Sequence, residues 1–155
     1  MNEFNTSRIK RIFIAEGDSD FFYFFNSAIL SVSKSVNVLR TADGVMLLSL
    51  IESGVKPDII FLDLNTPFKD GIRCLQAIRS NEKTKSTKVV MFSSSVLTND
   101  IDACYNNGAD FYFIKHNSFL YLVQQFKNLL VNEYFIKNIK PPRENFVVFN
   151  NYDVS

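Results

Sequence analysis

The stretch Pro57-Asp58-Ile59-Ile60-Phe61-Leu62-Asp63-Leu64-Asn65-Thr66-Pro67 carries a short apolar run between two prolines. Because the run is rich in branched and aromatic residues, it predicts a short buried strand. The strand would end on the carboxylate of Asp63, followed by the turn-forming residues Asn65 and Pro67. In parallel α/β sheets, the chemistry lies just beyond the carboxyl ends of the strands. Asp63 is therefore the first candidate functional residue, with the alternative that it only caps a turn.

Four further apolar runs predict strands on either side of this one, at residues 11–15, 36–41, 88–92 and 111–114. After each strand, apolar residues recur at helical spacing, which predicts amphipathic helices. Asp18 or Ser19 is placed to cap the first helix, and Ser118 the last. Strands that alternate with helices in this way imply right-handed crossovers. The predicted fold is therefore a doubly wound α/β domain, with a five-stranded parallel sheet covered by helices on both faces.

The same pattern suggests the domain boundaries. We predict an N-terminal arm at residues 1–9, a folded domain at residues 10–138 and a C-terminal tail at residues 139–155. Pro141-Pro142 is incompatible with a continuing helix, because proline lacks the backbone N–H and clashes with the preceding turn. The tail carries a small apolar patch at residues 146–149.

The composition predicts a soluble, cytoplasmic protein of one domain. The chain has 155 residues, and its 17 basic and 16 acidic residues leave a net charge of +1, so we expect no nucleic-acid partner. Residues 1–10 carry no signal-peptide core, and no run is long enough to span a bilayer, so we expect no membrane partner. Cys74 and Cys104 show no metal-binding or redox spacing, which predicts a reduced, buried pair.

Charged and hydroxyl groups follow four of the predicted strands. They are Glu16-Gly17-Asp18, Asp63, Ser93 and Lys115. Carboxylates at such an edge can hold a hard cation such as Mg²⁺. A carboxylate can also accept a phosphoryl group while Mg²⁺ and a lysine balance the charge on its oxygens. The combination favours phosphoryl chemistry on Asp63.

With these residues the chain resembles the receiver domain of two-component response regulators, the CheY-like family, over roughly residues 10–132. The resemblance rests on residues 61–67, 93–95 and 108–115, and it implies the flavodoxin-like fold of that family, with three αβα layers. The pattern of residues 12–29 is most similar to stand-alone receivers, including those that serve phytochrome-type and hybrid kinases.

The resemblance implies a role for each site residue. Asp63 corresponds to the aspartate that receives the phosphoryl group, and Ser93 to the hydroxyl that turns toward it. Lys115 corresponds to the lysine that pairs with the phosphate or the aspartate, and Tyr112 to the aromatic residue that swings inward on activation.

The implied magnesium site departs from the family pattern. Glu16, Asp63 and the backbone carbonyl of Asn65 correspond to its ligands, but the second acid of the pair is replaced by Gly17, which should weaken Mg²⁺ binding. Asp18 could substitute through a shifted backbone that Gly17 permits, or it could act as a helix N-cap.

A second departure is His116, which stands where the family usually has a proline after a cis peptide bond. Because a cis bond before a residue other than proline costs about 2.5–4 kcal/mol, we predict a trans Lys115–His116 bond. We expect His116 to be a solvated loop residue without a catalytic role.

The densest aromatic run is Phe21-Phe22-Tyr23-Phe24-Phe25. Core packing accounts for Phe24 and Phe25, whereas Phe21 and Phe22 lie on the helix turn nearest Asp63. One hypothesis is that Phe21 and Phe22 extend a docking surface for a kinase or a histidine phosphotransfer protein, since exposed apolar patches mark interaction sites. The alternative is that they cover the tail by packing against Phe146 or Phe149.

The function predicted from the sequence is that of a single-domain response regulator. It would take a phosphoryl group on Asp63 from a histidine kinase or phosphotransfer protein and signal by protein–protein contact. It would not be an enzyme beyond its own phosphoryl transfer and autodephosphorylation. Related receivers often dimerise through their last helices, and the sequence leaves a homodimer open.

The alternative is a pseudo-receiver that binds partners without phosphorylation, which Gly17 and His116 favour. A small phosphatase of the haloacid-dehalogenase type is a remote alternative. That class needs a second acid where this chain has Asn65, and a cap for which the chain is too short.

Overall fold

A computed structural model describes residues 8–66 and 70–149 of the chain. Within them, five strands form one parallel sheet in the order β2-β1-β3-β4-β5. The strands are β1 Arg11–Ala15, β2 Asn37–Thr41, β3 Ile59–Asp63, β4 Lys88–Ser93 and β5 Phe111–Ile114. The predicted doubly wound parallel sheet is therefore confirmed. Pro67, the last residue of the stretch 57–67 that contains β3, lies outside the described residues.

The helices are α1 Ser19–Val32, α2 Gly44–Glu52, α3 Gly71–Ser80, α4 Thr98–Asn106, α5 Phe119–Leu130 and α6 Glu133–Lys137. The side chains of Asp18 and Ser118 accept backbone N–H groups of α1 and α5, so both predicted caps are confirmed. The helix that the sequence predicted as the last, α5, ends at Leu130, well before Pro141. The backbone of Asn132 is extended, and its side chain caps the separate helix α6. None of the helices within the described residues has the length and apolar composition needed to cross a bilayer.

Phenylalanine side chains build the core on the face of the sheet that α1 and α5 cover. Phe61 of β3 lies at their centre, with ring centroids 5.0 Å from Phe25, 5.5 Å from Phe113 and 6.2 Å from Phe126. Aromatic pairs of this kind add about 0.5–1.5 kcal/mol each beyond their area burial. This packing anchors β3 two residues before Asp63. On the opposite face, α2, α3 and α4 cover a second cluster that includes the buried thiols Cys74 and Cys104.

Residues 141–149, called the C-terminal segment below, pack on the edge of β5. The Tyr112 N–H donates to the Phe146 carbonyl at 3.0 Å, and the Val148 N–H donates to the Tyr112 carbonyl at 3.0 Å. Val147 forms a parallel bridge with Tyr112. The edge of β5 is thus paired by the chain's own C-terminal residues.

The hypothesis that Phe21 and Phe22 cover the tail through Phe146 is wrong. Phe146 is fully buried among the side chains on the α4 face, whereas Phe21 and Phe22 pack against the cluster on the opposite face of the sheet. Phe149 is half exposed, and its backbone carbonyl accepts a hydrogen bond from Asn128 of α5. The sheet itself separates Phe146 from Phe21 and Phe22.

Gly71 allows α3 to start against the end of β3. A Cβ atom at this position would lie 2.7 Å from the Asp63 carbonyl oxygen and 2.7 Å from the Leu64 Cα. These are backbone atoms, so they cannot yield as a flexible side chain would. We predict that Gly71→Ala lowers the free energy of unfolding by about 1–3 kcal/mol. The clash outweighs the gain in helix propensity, which is about 1 kcal/mol.

Urea unfolding measures this loss, and the amide chemical shifts of Leu64 and Asn65 report the displacement at the site. Gly54→Ala is the matched control. Gly54 has a φ of +91° but nothing within 4 Å of a Cβ, so alanine there should strain the backbone without moving Leu64. Unchanged stability and unchanged shifts in Gly71→Ala would contradict the close approach of α3 to β3.

Candidate functional site

Three charged side chains meet at the carboxyl edge of the sheet. Glu16 follows β1, Asp63 ends β3 and Lys115 follows β5. The ammonium group of Lys115 donates to Glu16 Oε2 at 2.8 Å and to Asp63 Oδ2 at 2.9 Å. The exposed fractions of Glu16 and Asp63 are only 2% and 6%. The structure therefore brings three of the predicted site residues into direct contact.

Burial and charge set the pKa values at this edge. Burial raises the pKa of Glu16, and the negative charge of Asp63 adds to the rise, while hydrogen bonds from Lys115 and Asp18 oppose it. Burial by itself lowers the pKa of Lys115. Its hydrogen bonds to Glu16 and Asp63, together with their charges, outweigh that effect, so the pKa is raised overall. Lys115 therefore stays protonated between the two carboxylates at neutral pH.

The remaining carboxylate oxygens are held by backbone N–H groups. Asp63 Oδ1 accepts from the Asn65 N–H at 2.9 Å, and Glu16 Oε1 accepts from the Asp18 N–H at 3.0 Å. Asp18 directs its own carboxylate at α1, where Oδ1 accepts from the Asp20 and Phe21 N–H groups. Asp18 therefore acts as the N-cap of α1 in this structure, which was one of the two roles predicted for it; the other was that of a substitute metal ligand.

Whether these residues suit Mg²⁺ is a matter of donor type and number. Glu16, Asp63 and the Asn65 carbonyl offer hard oxygen ligands, which Mg²⁺ prefers together with several waters. Gly17 adds no ligand, and the described part of the chain contains no group of three or more acids, histidines or cysteines that could hold a metal. The donor set fits Mg²⁺ in kind, with one carboxylate fewer than the family pattern implies.

The hydroxyl groups predicted for the site lie beside it along β4 and β5. Ser93 is buried, and its Oγ accepts from the Ser95 N–H at 3.0 Å. The Tyr112 hydroxyl donates to the Ser95 carbonyl at 2.9 Å. Burial raises the pKa of Tyr112 to about 12, with hydrogen bonds to Ser93 and Ser95 acting in the opposite direction. Tyr112 is thus a neutral, inward-facing side chain in this structure.

Two aromatic rings cover Lys115, a contact that the sequence did not predict. Its Nζ lies 4.6 Å from the ring centroid of Phe21 and 5.0 Å from that of Phe92. A cation over an aromatic face gains about 0.5–2 kcal/mol, depending on its desolvation. The available signal was the position of Phe21 in the first turn of a helix that begins at the site.

Arg40 of β2 was also missed. Its guanidinium donates to the carbonyls of Glu16 and Gly17 at 3.1 and 3.3 Å, and it lies 5.4 Å from the ring centroid of Phe22. It holds the backbone of the loop in which Gly17 replaces the second acid. A lone arginine on an edge strand is typical of a solvated position, so the sequence offered no signal for this role.

A cleft of about 430 Å³ opens over Lys115, lined by Asp18, Phe21, Ser94, Lys115, His116 and Asn117. His116 is exposed, as predicted, and its ring stacks on Tyr121 with a centroid separation of 4.1 Å. Among the described residues no peptide bond is cis, so the predicted trans Lys115–His116 bond is confirmed. Of the three charged residues at this edge, Lys115 lines the cleft.

A doubly wound sheet in this order, with acids and a lysine at its carboxyl edge, defines a flavodoxin-like domain with a charged site at the point where the strand order reverses. The family model of the response regulator receiver domain matches residues 12–127. The chain therefore belongs to the response regulator receiver domain family.

Individual relatives agree with this family. The chain is 35% identical over 88 residues to the nitrate/nitrite response regulator protein NarL of Escherichia coli strain K12, a match that covers 56% of this chain and 39% of NarL. It is 36% identical over 64 residues to response regulator Rcp1 of Synechocystis, covering 41% of this chain and 44% of Rcp1. These matches thus span about two fifths of the length of each curated relative.

Solved structures agree with the fold. The phosphorylated cyanobacterial phytochrome response regulator RcpA is 26% identical, with a TM-score of 0.73 over 86% of this chain and 99% of RcpA. The Mn²⁺-bound form of Rcp1 is 22% identical, with a TM-score of 0.71 over 79% of this chain and 96% of that one. At that identity the second likeness shows the fold alone.

The shared ammonium group leads to a stability prediction for Lys115→Met, which shortens the side chain by one atom and removes its charge. Two nearly buried carboxylates would lose their counter-charge, so we expect a loss of about 3–5 kcal/mol at pH 7.5. Without Lys115 the pKa of Glu16 rises further. A carboxyl whose folded pKa exceeds its unfolded value takes up a proton on folding, so the variant regains stability as the pH falls through the folded pKa.

Urea unfolding at pH 7.5 and pH 5.5 measures the effect, and the loss should be smaller at pH 5.5. The double variant Glu16→Gln/Lys115→Met is the control, because it lacks the carboxyl that takes up the proton and should show a weaker dependence on pH. An equal loss at both pH values would count against the shared ammonium as the source of the stabilisation.

Proposed function

We propose that the chain acts as a response regulator receiver in the cytoplasm, receiving a phosphoryl group on Asp63 from a histidine kinase or histidine phosphotransfer protein. The observation that carries this proposal is the placement of Asp63 at the end of β3, buried, with Oδ2 on Lys115 and Oδ1 on the Asn65 N–H. Membership of the receiver family supports the reaction class.

The proposed transfer is a displacement at phosphorus. A carboxylate oxygen of Asp63 forms a bond to the phosphorus of a phosphohistidine as the bond from phosphorus to the histidine nitrogen breaks, and the imidazole leaves with the electron pair. The product is an acyl phosphate on Asp63, which water hydrolyses to inorganic phosphate and the free carboxylate. The output is protein–protein contact by the phosphorylated form.

Each neighbouring residue has a role in this proposal. Lys115, which already contacts Asp63, would pair with the new phosphoryl oxygens, and Ser93 would donate its hydroxyl to one of them. Mg²⁺, held by Glu16, Asp63 and the Asn65 carbonyl, would neutralise charge on the transferring group. Phe21 and Phe92 hold the ammonium of Lys115 close to the two acids.

A pseudo-receiver is the second candidate. It is favoured by Gly17 and by the bridging position of Lys115, because the two carboxylates already have a counter-charge in the absence of a metal. In that case the fold would serve partner binding alone.

The deciding measurement is the intact mass of the protein after incubation with acetyl phosphate. We expect one added phosphoryl mass in the presence of Mg²⁺, much less without it, and none in Asp63→Asn. Acetyl phosphate needs no docking surface, so it tests the site itself.

Gly17→Asp is the matched variant, because it restores the missing acid. It should tighten Mg²⁺ binding roughly tenfold or more, since an opposite unit-charge pair 4 Å apart gains about 4 kcal/mol at an effective dielectric constant of 20. If only Gly17→Asp takes the phosphoryl group, the natural chain is a pseudo-receiver. If neither does, phosphorylation on Asp63 is ruled out as the function.

We further propose that Phe21 and Phe22 belong to a docking surface for the phosphoryl donor. Phe22 is half buried beside Tyr23, whose exposed fraction is 68%. Two positions along α1, Phe24 contacts Phe119, whose ring is partly exposed at the start of α5. Such an apolar surface beside the cleft suits a partner that must bring a histidine to Asp63.

We therefore expect Phe22→Ser to slow transfer from a phosphorylated histidine phosphotransfer domain while the reaction with acetyl phosphate keeps its rate. Leu30→Ser, at the far end of α1 and also partly exposed, is the control and should change neither rate. Equal transfer rates for wild type and Phe22→Ser would remove Phe22 from the docking surface.

A further inference from the structure

The C-terminal segment contacts two elements at once. On α4, the Tyr105 hydroxyl donates to the Pro141 carbonyl at 3.0 Å, and Arg143 Nε donates to Asp102 Oδ1 at 2.6 Å. On β5, Tyr112 exchanges backbone hydrogen bonds with Phe146 and Val148. The segment therefore requires α4 and β5 to keep their present relative position.

Phe146 makes this attachment depend on Tyr112. Its side chain is fully buried, with ring centroids 5.1 Å from Tyr105 and 6.1 Å from Tyr112. If the Tyr112 ring turned outward, one wall of the site that buries Phe146 would be lost. Because burying a phenylalanine side chain is favourable, the inward position of Tyr112 and the docking of Phe146 stabilise each other.

Ser95 links both elements to the candidate phosphorylation site. Its N–H donates to Ser93 Oγ, and its carbonyl accepts from the Tyr112 hydroxyl. Its own hydroxyl donates to Asp100 in the first turn of α4. One residue next to the site thus holds the start of α4 and the side chain of Tyr112, which are the two elements on which the segment lies.

We propose that the C-terminal segment is an output element whose docking on α4 and β5 is coupled, through Ser95 and Tyr112, to the occupancy of Asp63. A phosphoryl group that accepts a hydrogen bond from Ser93 makes the Ser93 oxygen a stronger acceptor for the Ser95 N–H, because hydrogen bonds in a chain polarise one another. Ser95 then holds Tyr112 inward more firmly, and the segment docks more tightly.

The coupling is reciprocal, so the docked segment favours the phosphorylated form to the same extent. The proposal rests on the proposed function only for the identity of the ligand at Asp63. The connection from Ser93 to Phe146 exists in the unphosphorylated chain and can be tested there.

The test is a double-mutant cycle with Ser93→Ala and Phe146→Ala in the unphosphorylated full-length chain. The readout is hydrogen exchange of the Val148 amide, measured relative to the Phe61 amide in the centre of the sheet. We expect Ser93→Ala to speed Val148 exchange about threefold or more, and to have little further effect once Phe146→Ala has undocked the segment. If Ser93 and Phe146 are coupled, the effect of Ser93→Ala on Val148 exchange differs between the two backgrounds by about threefold or more. If they are independent, the effect is the same in both.

Phe149→Ala is the matched control, because Phe149 belongs to the same segment, is half exposed and is held there by its backbone carbonyl. In that background Ser93→Ala should keep its full effect. If Ser93→Ala instead acts equally in the wild-type chain and in the Phe146→Ala variant, the site and the segment are independent and the proposal is overturned.

Phosphorylation supplies the second arm. After the chain has been phosphorylated with acetyl phosphate and Mg²⁺, exchange of the Val148 amide should slow relative to that of the Phe61 amide. Phe146→Ala should lower the phosphorylated fraction at steady state. Stoichiometric phosphorylation with unchanged Val148 exchange would overturn the proposal and leave the proposed function intact. If the wild type takes no phosphoryl group, the proposed function fails, and the double-mutant cycle alone decides the coupling.

Discussion

Two nearly buried carboxylates, Glu16 and Asp63, share the ammonium group of Lys115. Three charges that are largely shielded from solvent are stable only because each has a hydrogen-bonded partner, since removing an unpaired charge from water costs several kcal/mol. With both acids ionised, the cluster carries one excess negative charge. It also explains why strands β1, β3 and β5 must end where they do, because each delivers one member of the cluster.

The loop after β1 shows how the site accommodates Gly17 in place of an acid. The Asp18 N–H binds Glu16, and Arg40 binds the carbonyls of Glu16 and Gly17. The loop is thus held through its backbone, with no side chain needed at position 17. Asp18 caps α1, so its charge stabilises the start of that helix and does not replace the missing acid beside Asp63.

Local sequence patterns predicted much of this molecule. The apolar runs that became β1, β3, β4 and β5 are visible because a strand buried on both faces needs consecutive branched or aromatic residues. The caps Asp18 and Ser118 are visible because a helix start needs an acceptor within a few residues. Glu16, Asp63, Ser93 and Lys115 could be grouped because strands in a parallel sheet end at one common edge.

Contacts between residues distant in sequence were not predictable in this way. The sequence placed Phe146 in an apolar patch of the tail without its partners, because no local pattern shows that the edge of β5 and the side chain of Tyr112 are there to receive it. Phe21 and Arg40 looked like surface residues, because their partners at the site come from elements far along the chain. The sequence by itself determined the elements, their order and the chemical types at the sheet edge, since these depend on neighbouring residues. Only the tertiary structure decided which groups share a proton donor, which rings cover Lys115 and where the C-terminal segment docks, because those contacts require the whole sheet to be assembled first.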